Sequence, residues 1–306
     1  MGISQYIKEI GRGPRGSKPL TREQAADLFG QLLDGNVTDP KPGAFCLAMR
    51  IKVETSEEMC GFLGAAHSRM ALFPASDRPV IVLPSYNGAR KLPVLTPLLA
   101  LLLAREGLPV LLHGMRTEAR RTLASDVLLA LGVPALTAPE KIATGSVAHI
   151  GTGYLHGALA RRLKVREVVG RRNAWHSLVK LMNPCAGPAV VVTSYTHPEY
   201  YDMLQATFGA LHMTALLSRG LEGEVATDPR RTPRYDAFVA GVHQLLQEQQ
   251  PGTAADVPGL PTEIDIDTTA RYTQDVLDGR LPVPPALAQQ VEHILHLAAQ
   301  TPPHAP

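Results

Sequence analysis

The sequence predicts an α/β protein, a small all-helical N-terminal domain followed by a larger domain with a mainly parallel central sheet. Three observations predict it. Helix-start signals and apolar residues at 3.6-residue spacing dominate the segment before Phe73. Beyond Phe73-Pro74, short β-branched runs alternate with helical stretches, the pattern of βαβ units. The 306 residues, 45% of them hydrophobic, are enough to bury a sizeable core in two subdomains.

The first strong helix opens at Thr21, which pairs with Gln24 as a capping box. Ala25, Leu28, Phe29, Leu32 and Leu33 then recur on one helical face, and Asp34-Gly35 is a stop with glycine at the left-handed cap. A second helix is expected over Gly43 to Arg50. A third begins near Ser56, with Glu57 and Glu58 favoured in its first turn by the helix dipole. The runs Val80–Leu83, Val110–Leu112, Val190–Thr193 and Leu211–Leu216 read as strands, with an apolar helix over Val94 to Ala104 between the first two. Arg219 to Tyr235 and Pro251 to Pro261 read as loops. The expected division is a helical domain over 1–74, joined by part of 158–182, an α/β domain over 75–300, and a disordered tail over 301–306. No internal repeat is visible.

Composition narrows the classes. Cys46, Cys60 and Cys185 form no even framework and no metal spacing, so free thiols in a reducing cytoplasm are expected. The N-terminus lacks the apolar core of a signal peptide, and Val94 to Ala104 is too short to span a bilayer, so no membrane partner is expected. The net charge of +2 hides a strong segregation. Residues after Gln247 hold eight acids and two bases, whereas residues 1–247 hold 28 bases and 20 acids. One basic cluster is Lys8, Arg12, Arg15, Lys18 and Arg22; another is Arg161, Arg162, Lys164, Arg166, Arg171 and Arg172. With Arg90-Lys91 and Arg120-Arg121 they suggest a polyanion-binding surface, although solvated helix faces give the same pattern. The histidines His156, His176, His197 and His212 show no ligand spacing, and Glu222 with Glu224 is too little for a metal site, so neither metal nor cofactor is expected.

Several stretches resemble the anthranilate phosphoribosyltransferase family (glycosyltransferase family 3). They are Leu20 to Met59, Gly107 to Arg116 with its His113-Gly114, Asp126 to Gly132, Val169 to Pro184, and Asp275 to Pro282. The resemblance covers Leu20 to Leu297 and implies a helical domain that also takes in a later segment, here Ala158 to Met182. It also places Arg172 where the family's arginine contacts an aromatic acid.

The departures bear on activity. The family's glycine-rich diphosphate loop falls on Pro84 to Ala89, which reads Pro-Ser-Tyr-Asn-Gly-Ala. A phosphate-binding Asn-x-Ser-Thr falls near Val94 to Pro97, where valine and proline offer no side-chain donor. The lysine before His-Gly is Leu112. The magnesium-binding Asp-Glu pair should follow Gly223, where Glu224-Val225-Ala226 stands. Losing these elements together removes most of the electrostatic stabilisation of phosphoribosyl transfer. Such a scaffold with PSYNGARKLP in the loop is similar to the YbiB group of the superfamily, a resemblance that implies nucleic-acid (DNA or RNA) binding by a homodimer.

The expected interface comprises Lys8, Arg12, Arg15, Lys18, Arg90, Lys91, Arg161, Arg162, Lys164, Arg166, Arg171 and Arg172. Tyr86, Asn87, Gly88, His113 and Arg116 line a degenerate substrate pocket. Tyr86 and Trp175 are candidates for base stacking, although Trp175, in an expected helix between Arg172 and Lys180, more often serves as a core or dimer-contact residue; no catalytic residue is assigned. No base-reading motif is present, so binding is expected to follow phosphates rather than sequence. Two alternatives stay open: a transferase or phosphorylase with altered substrate using Arg172 and His113, and a scaffold whose basic face binds an acidic protein.

Overall fold

The structure is a computed structural model that describes residues 2–301 apart from 14, 39, 119, 254 and 255. Four helices open the chain: α1 (Ser4–Ile10), α2 (Arg22–Asp34), α3 (Pro40–Lys52) and α4 (Ser56–His67). The capping boxes at Thr21 and Thr55 both form, and Gly35 takes the left-handed φ of 78°. Phe29, Phe45 and Phe62 stack at the centre of this unit, where Phe29 and Phe62 lie 4.7 Å apart between ring centroids.

The chain then enters β1 (Val80–Ser85), α5 (Thr96–Arg105), β2 (Val110–Gly114), α6 (Ala124–Ala130), β3 (Ala135–Leu136) and β4 (Val147–Gly151). Four short helices follow: α7 (Thr152–Leu155), α8 (Gly157–Leu163), α9 (Val165–Val169) and α10 (Ala174–Leu178). They return toward the first helices, α8 packing on α2, α9 on α3, and α10 on α3 and α4. Trp175 of α10 lies 4.2 Å from the Phe29 ring and donates its indole N–H to Cys46 Sγ at 3.2 Å. That indole is fully buried, so it stacks in the helical core, the placement its helical position favours, and not on bases.

The last part comprises β5 (Ala189–Tyr195), α11 (Tyr201–Ala210), β6 (Ala215–Arg219), β7 (Tyr235–Val239), β8 (Val242–Gln247), α12 (Ile266–Leu277) and α13 (Pro285–Gln300). The strand expected over Leu211–Leu216 begins only at Ala215, because Leu211 caps α11 and His212 turns at a φ of 50°. Thr301, expected to start a loose tail, is buried and its hydroxyl donates to Leu297 O; residues 302–306 lie outside the described part. The N-terminal stretch that carries the first basic cluster contains α1, anchored by buried Ile3 and Ile10.

The eight strands order as β3-β4-β2-β1-β5-β6-β7-β8. All neighbours run parallel except β6 with β7 and β7 with β8. Ile81 of β1 sits opposite Val110 on one side and Val190 on the other, so the chain leaves β1 in both directions. Ligand sites in open parallel sheets form at such a switch point, outside the carboxyl ends of the strands. Among the described residues, no helix is long and apolar enough to cross a membrane.

Candidate functional site

The carboxyl end of β1 runs into the loop Tyr86 to Lys91. Its backbone N–H groups point as they would toward a phosphate, yet they meet carboxylates from the loop after β6. Glu224 Oε1 accepts the N–H of Asn87 at 2.9 Å and that of Gly88 at 2.8 Å. Its Oε2 accepts the hydroxyls of Ser85 at 2.7 Å and Thr96 at 3.1 Å. Glu222 Oε2 accepts the N–H groups of Arg90 and Lys91, each at 3.0 Å. Gly88 has a φ of 61°, and a side chain there would meet Thr122 O at 2.7 Å. Gly223, at a φ of 79°, leaves no room for a side chain because the Asn87 amide lies 1.9 Å from its would-be Cβ.

The loop is therefore an anion nest closed by an acid of the same chain. Two amides and two hydroxyls thus satisfy both oxygens of this buried side chain. Thr96, which lies within Val94 to Pro97, supplies a side-chain donor that the sequence did not lead one to expect. Glu222 and Glu224, too few for a metal site by sequence, both hold the loop. Among the described residues, no group of three or more His, Cys, Asp or Glu side chains gathers as a metal site.

Tyr86 lies under this loop and is 2% exposed. Thr152 Oγ1 donates to its hydroxyl, which in turn lies 2.9 Å from His113 Nδ1. Burial holds His113 down at about 4, so a neutral ring shares this hydrogen bond with the tyrosine hydroxyl. Tyr86 thus joins the core and cannot meet a base or a polyanion from outside, which corrects the expectation. Arg116 is exposed and paired with Asp126, turned to the neighbouring helix.

The twelve basic residues expected at the interface divide into two sets. Arg12 pairs with Glu9. Arg90 reaches Glu222 at 3.5 Å while its side chain stays mostly exposed. Arg162 donates twice to Leu32 O, tying α8 to the end of α2. Arg166 binds Thr117 O and Glu118, and with Arg121 it brings the Glu118 carboxyl down to about 2 against the opposing effect of burial. Arg172 is half-buried in the wall of a cavity beside β5. These five are engaged by neighbouring groups or line the cavity. Lys8, Arg15, Lys18, Lys91, Arg161, Lys164 and Arg171 are exposed and form no ion pair among the described residues. Helices α1 and α9 both pack on α3, so the segments carrying Lys8 and Lys164 flank one helix. Lys91 belongs to the sheet-end loop and is not brought to that helix by any of these contacts. Residue spacing does not reveal the apolar side chains between the clusters: Leu47 and Ile51 of α3 and Val168 of α9 are 49%, 62% and 90% exposed.

Residues 4–70 match the helical bundle domain of a glycosyl transferase family. The chain is 36% identical over 298 residues to the uncharacterized protein YbiB of Escherichia coli K12, covering 95% of this chain and 92% of that one. It is 33% identical over 232 residues to anthranilate phosphoribosyltransferase of Methylobacterium nodulans, covering 73% and 67%. The crystal structure of anthranilate phosphoribosyltransferase from Thermus thermophilus superposes with a TM-score of 0.74 at 23% identity, over 96% of this chain and 87% of that one.

Proposed function

The chain belongs to the anthranilate phosphoribosyltransferase-like superfamily of family 3 glycosyl transferases, and on that premise we propose that it is a sequence-tolerant nucleic-acid-binding homodimer that has given up the family's diphosphate site. One observation carries the reading: exposed cations without ion-pair partners lie on segments that flank α3. Lys8, Lys164 and Arg171, with Arg15, Lys18 and Arg161 beside them, meet phosphates along a strand. Leu47, Ile51 and Val168 supply the apolar contact between two copies, and a two-fold axis there repeats the basic segments on each side. The loop after β1 takes no part in binding a diphosphate, because Glu224 holds its donors.

Phosphate neutralisation by about five cations lowers affinity for duplex DNA roughly 500-fold between 50 and 200 mM salt. Fluorescence anisotropy with single- and double-stranded DNA and with RNA at several salt concentrations tests the reading. Comparable affinity for unrelated sequences with a steep salt slope supports it. Absence of binding at low salt, or an affinity indifferent to salt, overturns it.

A transferase with altered substrate is the second reading, favoured by the cavity that Arg172 lines at the end of β5. Calorimetry with phosphoribosyl diphosphate separates the two. Magnesium-dependent binding favours the transferase, and its absence favours the nucleic-acid reading.

A further inference from the structure

The two edges of the sheet are finished differently. At one, β3 is only two residues long, which leaves little to pair with a further chain. At the other, β8 has β7 on one side and no strand on its other side among the described residues. Its sequence, Val-His-Gln-Leu-Leu-Gln, holds no lysine, arginine, acid or proline, the residues with which edge strands commonly refuse a neighbour. A register shift between Tyr235 and Asp236 breaks the ladder only toward Gln247, and Val242 to Leu245 keep regular register with Val239 to Asp236. A row of backbone N–H and C=O groups is therefore open to an added strand.

The edge is held in place before any partner arrives. The turn from β7 has Ala240 at a φ of 47° and Gly241 at 83°. Both amides are tied to the chain just before β6, Ala240 N–H donating to Thr214 Oγ1 at 3.2 Å and Gly241 N–H to Met213 O at 2.8 Å. Behind β8, Asp236 accepts from Arg234 and Tyr201 and lies 2.7 Å from His243 Nε2. Phe238 packs against the His243 ring and against Phe208 of α11. A template ordered in advance loses less entropy on binding.

Side chains define the occupant. Val242 and Leu245 are 65% and 43% exposed, and alternation puts them on opposite faces, so an added strand meets an apolar contact on either face. Helix α11 packs on β8 and α13 on β7. These helices carry exposed Asp202 and Glu292 and no lysine or arginine. His293, next to Glu292, reaches Gln247 of β8 at 3.1 Å. Glu248 follows the strand, and Arg234 is shared between it and Asp236, two acids to one base. The rim is acidic, and a basic strand complements it.

We propose that β8 is a docking edge for an extended, basic segment of a partner protein, in which lysine or arginine alternates with apolar residues and which joins the sheet as a further strand. The edge shares no residue with the α1–α3–α9 surface, so the two readings stand or fall separately.

Fluorescence anisotropy at low salt with short labelled peptides tests the proposal. The probes alternate lysine with valine, lysine with proline, or glutamate with valine. The lysine–valine peptide is expected to bind at least about tenfold more tightly than the other two. Proline keeps the charge but removes backbone N–H groups, and glutamate reverses the charge. Binding should slow hydrogen exchange in β8. Val242→Lys with Leu245→Lys should weaken the lysine–valine peptide at least about tenfold, and Asp202→Lys with Glu292→Lys should weaken it as well. Equal binding of the two lysine peptides, exchange in β8 that does not slow, or affinity unchanged in both variants overturns the proposal. So does self-association of the unaltered protein that Val242→Lys with Leu245→Lys abolishes, because a second copy then takes the edge.

Discussion

The Glu224 carboxylate accepts the backbone N–H of Gly88 at 2.8 Å, across 136 residues of chain, and closes the loop that follows β1. The same oxygen takes the Asn87 N–H, and the other oxygen takes the hydroxyls of Ser85 and Thr96. Glutamine at 224 keeps an acceptor for the two amides and can donate to the hydroxyl oxygens, while alanine leaves all four donors without a partner. Glu224→Ala should cost about 2–4 kcal/mol and Glu224→Gln about 1 kcal/mol. Urea unfolding measures both, and hydrogen exchange at Asn87 and Gly88 should speed up in the alanine variant alone. Equal stability of the two variants would contradict the role given to this carboxylate.

The exposed and the committed cations should behave differently. Replacing Lys8, Lys164 and Arg171 by glutamate should weaken nucleic-acid binding for every sequence and lower the salt slope by roughly one for each phosphate no longer neutralised. Fold and melting temperature should change little. Arg166→Ala removes the bonds to Thr117 and Glu118 and should lower stability instead. Titrations at several salt concentrations, with melting curves alongside, distinguish the two effects. A slope unchanged in the triple variant would remove these residues from the interface.

Ile51 is 62% exposed on α3, and Val168 is 90% exposed on α9, which packs against α3. An apolar face of this kind is assigned to the contact between two copies. Ile51→Glu should convert a dimer into a monomer in light scattering coupled to size exclusion, because it desolvates a charge in each copy at the contact. A dimer that persists in this variant places the contact elsewhere.

Glu54 is buried, and burial raises its carboxyl to about 7, with Glu58 adding to the effect. The folded protein therefore holds this proton more tightly than the unfolded chain. The stability it confers is present in full below about 4.5 and is lost as the pH rises through about 7. Glu54→Gln fixes the neutral form and should be more stable than the unaltered protein at alkaline pH, by up to roughly 3 kcal/mol. The two should converge near pH 4.5. Denaturation curves across this range that stay parallel would contradict the buried carboxyl.

Local signals made much of the fold legible. Thr21 with Gln24, Gly35, and the apolar runs at β1, β2 and β5 act over a few residues, and each stands where spacing predicts it. Helix α1 escaped because only Ile3 and Ile10 bury, one at each end of a polar and basic stretch. The β7–β8 hairpin escaped because β8 presents Val242 and Leu245 outward, so its pattern does not mark a buried face. The candidate site was legible as charge but not as geometry. Nothing local shows that Arg162 serves Leu32, that Arg166 serves Glu118, or that Tyr86 turns inward to His113. The partnership of Gly88 with Glu224 is likewise made by the sheet, which brings the ends of β1 and β6 to one side of the molecule.

The central claim is that nucleic acid lies along the α1–α3–α9 surface and not in the loop after β1. Hydrogen–deuterium exchange of the protein with and without a saturating single-stranded oligonucleotide locates the contact directly. The account predicts slowed exchange in residues 4–22 and 161–172, with residues 84–96 and 222–228 unchanged. Slowed exchange centred on 84–96 and 222–228, with the two basic segments unaffected, would contradict it.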